Sequence, residues 1–217
     1  MLRIFRIYSK RKIRTIVNPQ YRFQKESMSY MGWSFISNVL ISVENVLGMH
    51  SMLSTVGKES TEIVASFNYI GKDLFGQIGG IWYMHRIGSE TDNRPRYFVK
   101  KSMYIQQLSI IAECATPLLP SYLFIPVAGL ANVGKNASFT GLGAVNAKVI
   151  QGLSGNYTGE LYTKISAVNT LASTIGMGIG LTIAAKIPDH ATRLAFVPFI
   201  SILRTVTYQR ALKKIKI

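Results

Sequence analysis

Hydrophobic and polar positions recur along this chain chiefly with a helical period. From 27 to 56, Trp33, Ile36, Leu40, Val43 and Leu47 form an apolar stripe, and Ser34, Asn38, Ser42 and Asn45 form a polar one at 3.6-residue spacing. From 61 to 84, Ile63, Phe67, Ile70, Leu74, Ile78 and Ile81 continue the pattern, interrupted by Lys72-Asp73, with Gly76 and Gly80 as a small pair. Glu44 and Lys72-Asp73 would be costly against lipid, so they must face helices or a cavity. Both segments read as helices of a bundle, half-embedded and too polar to be recognised as spans by hydropathy.

The clearest span is 165–185, whose 21 uncharged residues lie between Lys164 and Lys186. That length matches the roughly 20 residues needed to cross a ~30 Å hydrocarbon layer. Within it Ala172, Gly176, Gly180 and Ala184 recur every four residues, a row that lets another helix approach closely. In water, each glycine inside a helix costs roughly 0.8–1.0 kcal/mol relative to alanine; in a bilayer that penalty is less decisive. A second uncharged run, Cys114 to Gly134, contains Pro117, Pro120 and Pro126, which break helix continuity. It fits a kinked span, a re-entrant segment, or a loop followed by a helix. Residues 85–101 form a polar, basic connector. The expected fold is an all-α helical bundle, membrane-embedded or membrane-associated, with Gly/Ala-rich helix contacts.

Charge sharpens this picture. The 217 residues carry a formal net charge of +15, which first suggests nucleic acid. Residues 1–25 hold eight basic residues and no acid, and residues 193–217 hold six and no acid, together +14. The intervening body is nearly neutral. Two cationic ends around an apolar body suit anionic headgroups better than a basic groove, so nucleic acid is the less favoured partner. The chain divides into a basic tail (1–25), a helical domain (26–212) and a basic end (213–217). On a helical projection Arg3, Arg6, Lys10 and Arg14 share one face opposite Leu2, Phe5, Ile13 and Ile16. This is the pattern of an organellar presequence, of a basic helix on a membrane surface, or simply of a solvated tail. The 48% hydrophobic composition excludes intrinsic disorder, and the single cysteine excludes a disulfide framework and multi-cysteine zinc sites.

Catalytic chemistry is sparse. A strand-like run, Tyr122–Ala128, precedes Gly129 to Asn136, which is one residue short of a phosphate loop because Asn136 replaces the Ser or Thr that ligates Mg²⁺. His50, His85 and His190 lie far apart in sequence, and Cys114 has no local activating cation. No catalytic residue, metal site or cofactor is expected.

Several segments match a known pattern in shared order and spacing. They are Trp33; Tyr69-Ile-Gly-Lys72-Asp73-Leu-Phe-Gly76; Glu113-Cys-Ala-Thr-Pro117; Asn132-Val-Gly-Lys135; Gly143-Ala144; and Glu160 through Lys164, Ser166, Thr170 and Leu171 to Gly176. Over roughly 29–212 the chain resembles the root UV-B sensitive (RUS) family. Asn169 stands where that family commonly has Glu, and Glu160 where it has Asp. The resemblance implies a eukaryotic, membrane-associated protein without an established reaction, linked to vitamin B6 homeostasis and, in plants, to plastids. It marks Lys72, Asp73, Asn132, Lys135, Lys164 and Ser166 as candidate functional positions, each with a structural alternative such as an ion pair or a helix cap. The expectation is a non-enzymatic organellar membrane protein, of a mitochondrion or plastid, acting by protein interaction or transport. It would associate with partners or a second copy through small-residue faces. An RNA- or ribonucleoprotein-binding organellar protein is the alternative. A third reading, a B6-vitamer binder, would use Lys72, Lys135 or Lys164.

Overall fold

The computed structural model describes residues 25–56, 62–154, 157–213 and 215. The basic tail, 1–25, with its amphipathic pattern from Leu2 to Ile16, lies outside the described residues apart from Lys25. Six long helices account for nearly all of them: α1 (Lys25–Val56), α2 (Glu62–Asn93), α3 (Pro95–Ala115), α4 (Phe124–Ser154), α5 (Thr158–Lys186) and α6 (His190–Leu212). Two short 3-10 turns, Thr116–Leu118 and Ser121–Leu123, join α3 to α4, and no strand occurs among the described residues. The shortest helix, at 21 residues, is about 31 Å long at 1.5 Å per residue.

Contacts set the helix directions. Gly48 lies against Glu113 and Thr55 bonds Thr116, so α1 and α3 run parallel. Gly134 meets Ser109 and Ser138 bonds the carbonyl of Ser102, so α4 runs against α3. Gly76 meets Asn132 and Lys148 pairs with Asp92, so α2 runs parallel to α4. Ser42 bonds Ser173, and Gly180 meets Val46, so α5 runs parallel to α1. Glu44 bonds Arg204, and His50 bonds Arg193, so α6 runs against α1. The result is an up-and-down bundle with α1 and α3 inside and α2 and α5 at its flanks.

The polar stripe of α1 faces α5. Asn38 donates to Asn169 at 3.0 Å and Ser42 to Ser173 at 3.0 Å. Ala172, Gly176, Gly180 and Ala184 are all buried, and a Cβ on Gly176 would sit 2.4 Å from the carbonyl oxygen of Val39. This row is covered by α1 of the same chain, so a second copy would have to dock elsewhere. The equivalent contact on the other flank uses Gly76 and Gly79 of α2 against Asn132 and Val133.

Three expectations change. The 85–101 connector is helical through the end of α2 and the start of α3; only Arg94 breaks it, because Pro95 at the first helical position forces the preceding residue out of the α region. Pro126 does not interrupt a helix either. It occupies the first turn of α4, where its missing N–H has no helical partner to lose, so the 114–134 run is a turn followed by a helix. Tyr122–Ala128 is a helix start rather than a strand, and Gly129–Asn136 lies inside α4, which excludes a phosphate loop. The short α5–α6 turn is fixed by Asp189, which caps α6 by accepting from the Thr192 hydroxyl and backbone N–H; these bonds hold its carboxyl below the usual carboxylate range. That capping contribution is present above the carboxyl's unfolded pKa and fades as pH falls through the lowered folded value.

The two parallel helix contacts yield a paired prediction. Gly176→Ala forces α1 and α5 apart and lowers stability by about 1–3 kcal/mol. Gly178→Ala, on the open side of the same helix with nothing within 4 Å, leaves stability unchanged or raises it. Thermal unfolding of both variants in a mild detergent measures the difference; equal effects would contradict the packing.

Candidate functional site

Four of the six sequence-marked polar positions meet in one place. Asn132 of α4 donates to the carbonyl of Lys72 at 3.0 Å and to Asp73 Oδ1 at 3.2 Å, and Lys72 Nζ lies 2.9 Å from the same Asp73 oxygen. One helical turn along α4, Lys135 Nζ donates to both oxygens of Glu113, at 3.2 and 3.0 Å. Glu113 is fully buried, and Gly48 of α1 leaves no room for a Cβ beside it. This cluster joins α2, α4, α3 and α1 toward the end opposite the basic connector. Its charges are matched in pairs, and among the described residues no group of three His, Cys, Asp or Glu could hold a metal. The arrangement is that of a structural clamp. Lys164 and Ser166 lie apart on α5. Lys164 pairs with Glu160 at 2.6 Å on the exposed surface, while Ser166 lines a groove of about 320 Å³ between α4 and α5 with Asn146, Asn169 and Ser173.

A second buried network escaped the sequence reading in its essentials. Arg204 Nη1 donates to Glu44 Oε2 at 3.1 Å, its Nη2 donates to Gln106, and Ser201 donates to the other Glu44 oxygen. All four side chains are nearly or fully buried. Arg204 counted as part of a cationic tail, yet it sits inside α6, as does Arg193, which donates to the carbonyls of Ile187 and Pro188 and bonds His50. The C-terminal +6 is therefore partly internal. The legible signal was Arg204 within Phe196–Val206, an otherwise uncharged and largely apolar stretch.

This network forms the floor of a polar cleft. A cavity of about 220 Å³ is lined by Tyr30, Ser34 and Asn38 of α1, Gln106 of α3, Asn146 of α4, Asn169 of α5 and Arg204 and Tyr208 of α6. Asn146 and Asn169 also line the groove holding Ser166, so the two spaces share a wall. The Asn146 carbonyl accepts from Tyr30, and the Asn169 carbonyl accepts from Asn38. Gln106 keeps a buried Nε2 donor without a protein partner. Met103, Phe139 and Leu142 supply apolar wall. The cleft is thus a polar space with one apolar wall, of a size for a small solute.

The clamp gives a test of buried charge. Lys135→Met strands Glu113 and costs about 3–5 kcal/mol, whereas Glu113→Gln with Lys135→Met recovers most of that loss. Unfolding of both variants in mild detergent measures it; a double variant as unstable as the single one would contradict the pairing.

Comparison with known proteins places this geometry. Residues 17–217 match the family described as the vitamin B6 photo-protection and homoeostasis domain. Protein root UVB sensitive 5 of Arabidopsis thaliana is 30% identical over 169 residues, covering 72% of this chain and 33% of the relative. Protein root UVB sensitive 3 of the same plant is 26% identical over 175 residues, covering 77% and 38%. Protein root UVB sensitive 2, chloroplastic, is 24% identical over 170 residues, covering 77% and 39%. The chain thus spans between a third and two-fifths of the length of these relatives. No solved structure matches it. With the domain covering nearly the whole chain and the same relatives recurring, the chain belongs to the root UVB sensitive family.

Proposed function

We propose that this chain is a membrane-embedded member of its family that binds or moves a small polar solute through its central cleft, without catalysing a reaction. One observation carries the reading: ionisable side chains are buried inside while many large apolar side chains stand on the surface. Glu44, Glu113, Gln106, Arg193 and Arg204 are buried, while Ile78, Ile81, Leu108, Leu171, Leu181, Phe199 and Ile202 are 57–67% exposed. Water-soluble domains bury such side chains and keep contiguous exposed apolar patches small. A bilayer reverses the preference, since lipid welcomes the apolar faces and ionisable groups must pair inside.

Further features support it. Helix α5 is long and apolar enough to cross a membrane, with mean hydropathy 1.4 and only 22% of its most apolar stretch buried. A buried core helix of a soluble protein would be covered far more completely. The charged ends differ as well. The α2–α3 connection and the described starts and ends of α1 and α6 share one end, where ten Lys or Arg, among them Arg86, Arg94, Arg96, Lys100, Lys101, Arg210 and Lys213, stand against the acids Glu26, Glu90, Asp92 and Glu160. At the other end the described charges nearly balance. Trp33 and Trp82 lie toward the basic end, with Arg210 over Trp33 and Arg86 over Trp82, as aromatic residues do at a headgroup layer. The basic end then faces the side favoured by the positive-inside rule.

The family description supplies the context for the solute: vitamin B6 homoeostasis. A B6 vitamer, with its ring and several acceptors, has the chemistry that the cleft offers. Its binding would rest on hydrogen bonds rather than a Schiff base, since Lys72 and Lys135 belong to the ion-paired clamp and Lys164 to a surface pair. One relative is named chloroplastic, which supports an organellar membrane for this chain. The RNA-binding alternative loses ground because two of the arginines that suggested it are buried.

Alkaline carbonate extraction tests the membrane reading. The chain is expected in the membrane pellet, with tags at both termini equally accessible to protease from one side. Quantitative release into the soluble fraction would contradict it.

A further inference from the structure

The basic end holds a defined pocket as well as a diffuse charge. Between the first turns of α3 and the last turns of α6 lies a space of about 480 Å³ walled by Arg96, Lys100, Arg210 and Lys213, with no acidic residue in its lining among the described residues. Val99 and Leu212 are buried at its base. Four cations around one space repel each other and call for an anion. Two of them are also poorly placed for their own helix. Arg96 and Lys100 stand in the first turns of α3, whose N-terminus carries a positive dipole, has no acid in its first turn and lacks a side-chain cap. Arg210 and Lys213, by contrast, suit the C-terminus of α6.

The pocket continues into an apolar surface. Phe199, Leu203 and Val206 form one exposed stripe of α6, descending from the pocket toward the middle of the bundle; beside it α3 exposes Tyr104 and Leu108. Gln107 ties the two helices here, donating to the Ser201 carbonyl at 3.0 Å and to Thr205 at 2.6 Å. A free phosphate would need the cations alone. A cationic pocket opening onto an apolar trough has the shape of an amphiphile.

We propose that this pocket is a binding site for the phosphate headgroup of an anionic phospholipid, whose acyl chains lie along the α3–α6 face. The proposal rests on the membrane reading above and adds a specific lipid site to it. Arg96 is held in place by its bond to the Ile215 carbonyl at 3.0 Å, and Arg210 by stacking over Trp33 at 5.1 Å. Lys100 and Lys213 complete the cradle.

The test uses the full chain in nanodiscs of phosphatidylcholine with or without phosphatidylglycerol, with retained lipid read by native mass spectrometry. The wild type retains phosphatidylglycerol in preference to phosphatidylcholine. Lys100→Gln with Lys213→Gln weakens that retention about 30-fold, or roughly 2 kcal/mol at about 1 kcal/mol per basic residue. A charge-matched control at the same end, Lys101→Gln with Lys148→Gln, leaves it close to wild type. Equal losses in both double variants would assign the effect to diffuse surface charge and overturn the site; unchanged retention in the pocket variant would do the same. Displacement by glycerol phosphate, with no preference between the two lipids, would overturn the lipid assignment in favour of a soluble phosphate ester. Alkaline carbonate extraction of the same samples separates the two levels: release of the wild type overturns the membrane reading and this proposal together. Lost lipid preference in a carbonate-resistant pocket variant supports the site.

Discussion

A carboxylate and a guanidinium, both almost wholly buried, hold the centre of this bundle. Glu44 and Arg204 meet at 3.1 Å, with Ser201 and Gln106 taking up remaining hydrogen-bonding capacity. Removing water from two charges costs several kcal/mol per ion, which their attraction offsets only in good geometry. The pair therefore constrains α1, α6 and α3 to one register. Glu113 and Lys135 impose the same condition between α3 and α4. With polarity satisfied internally, the outer faces are left free to be apolar. The flanking helices also approach through glycines, Gly176 and Gly180 of α5 against α1 and Gly76 and Gly79 of α2 against α4.

The cleft follows from the same arrangement. Helices α4 and α5 touch each other only lightly, because each is committed to another partner, α4 to α2 and α3 and α5 to α1. The gap between them is lined by asparagines, tyrosines and the inner edge of the Glu44–Arg204 network. Hydrogen-bonding groups left in an apolar bundle are expensive unless they serve a ligand or each other. Here the side-chain carbonyls of Asn146 and Asn169 accept from Tyr30 and Asn38, so part of the cleft's polarity is satisfied within the protein. Asymmetry of charge between the two ends then gives the bundle a direction.

Much of this fold was legible in the chain itself. Helical periodicity located α1 and the start of α2, and small-residue spacing at Ala172, Gly176, Gly180 and Ala184 marked the face that α1 covers. Glu44 was recognisable as a group that could not face lipid. The partner was not, because Arg204 is 160 positions away and its charge reads as part of a basic tail until a helix is placed around it. Pairing between helices is a tertiary fact with no local signature. Proline gave the opposite difficulty: Pro126 reads as a breaker, yet in a first turn it removes no helical bond. Of the marked polar positions, Lys72, Asp73, Asn132 and Lys135 converge because i, i+3 spacing on α4 presents two of them to α2 and α3 together. Lys164 and Ser166 share a motif in sequence without sharing a site.

In the proposed membrane-embedded state lipid contacts the outer faces of the helices, and spin labels placed there report it directly. Labels at Ile78 of α2, Leu181 of α5 and Ile202 of α6, in the full chain reconstituted into vesicles, would be compared for collision with oxygen and with a water-soluble nickel chelate. High oxygen and low nickel accessibility at all three positions is the predicted result. High nickel accessibility at these positions in the folded protein would contradict a membrane-embedded bundle.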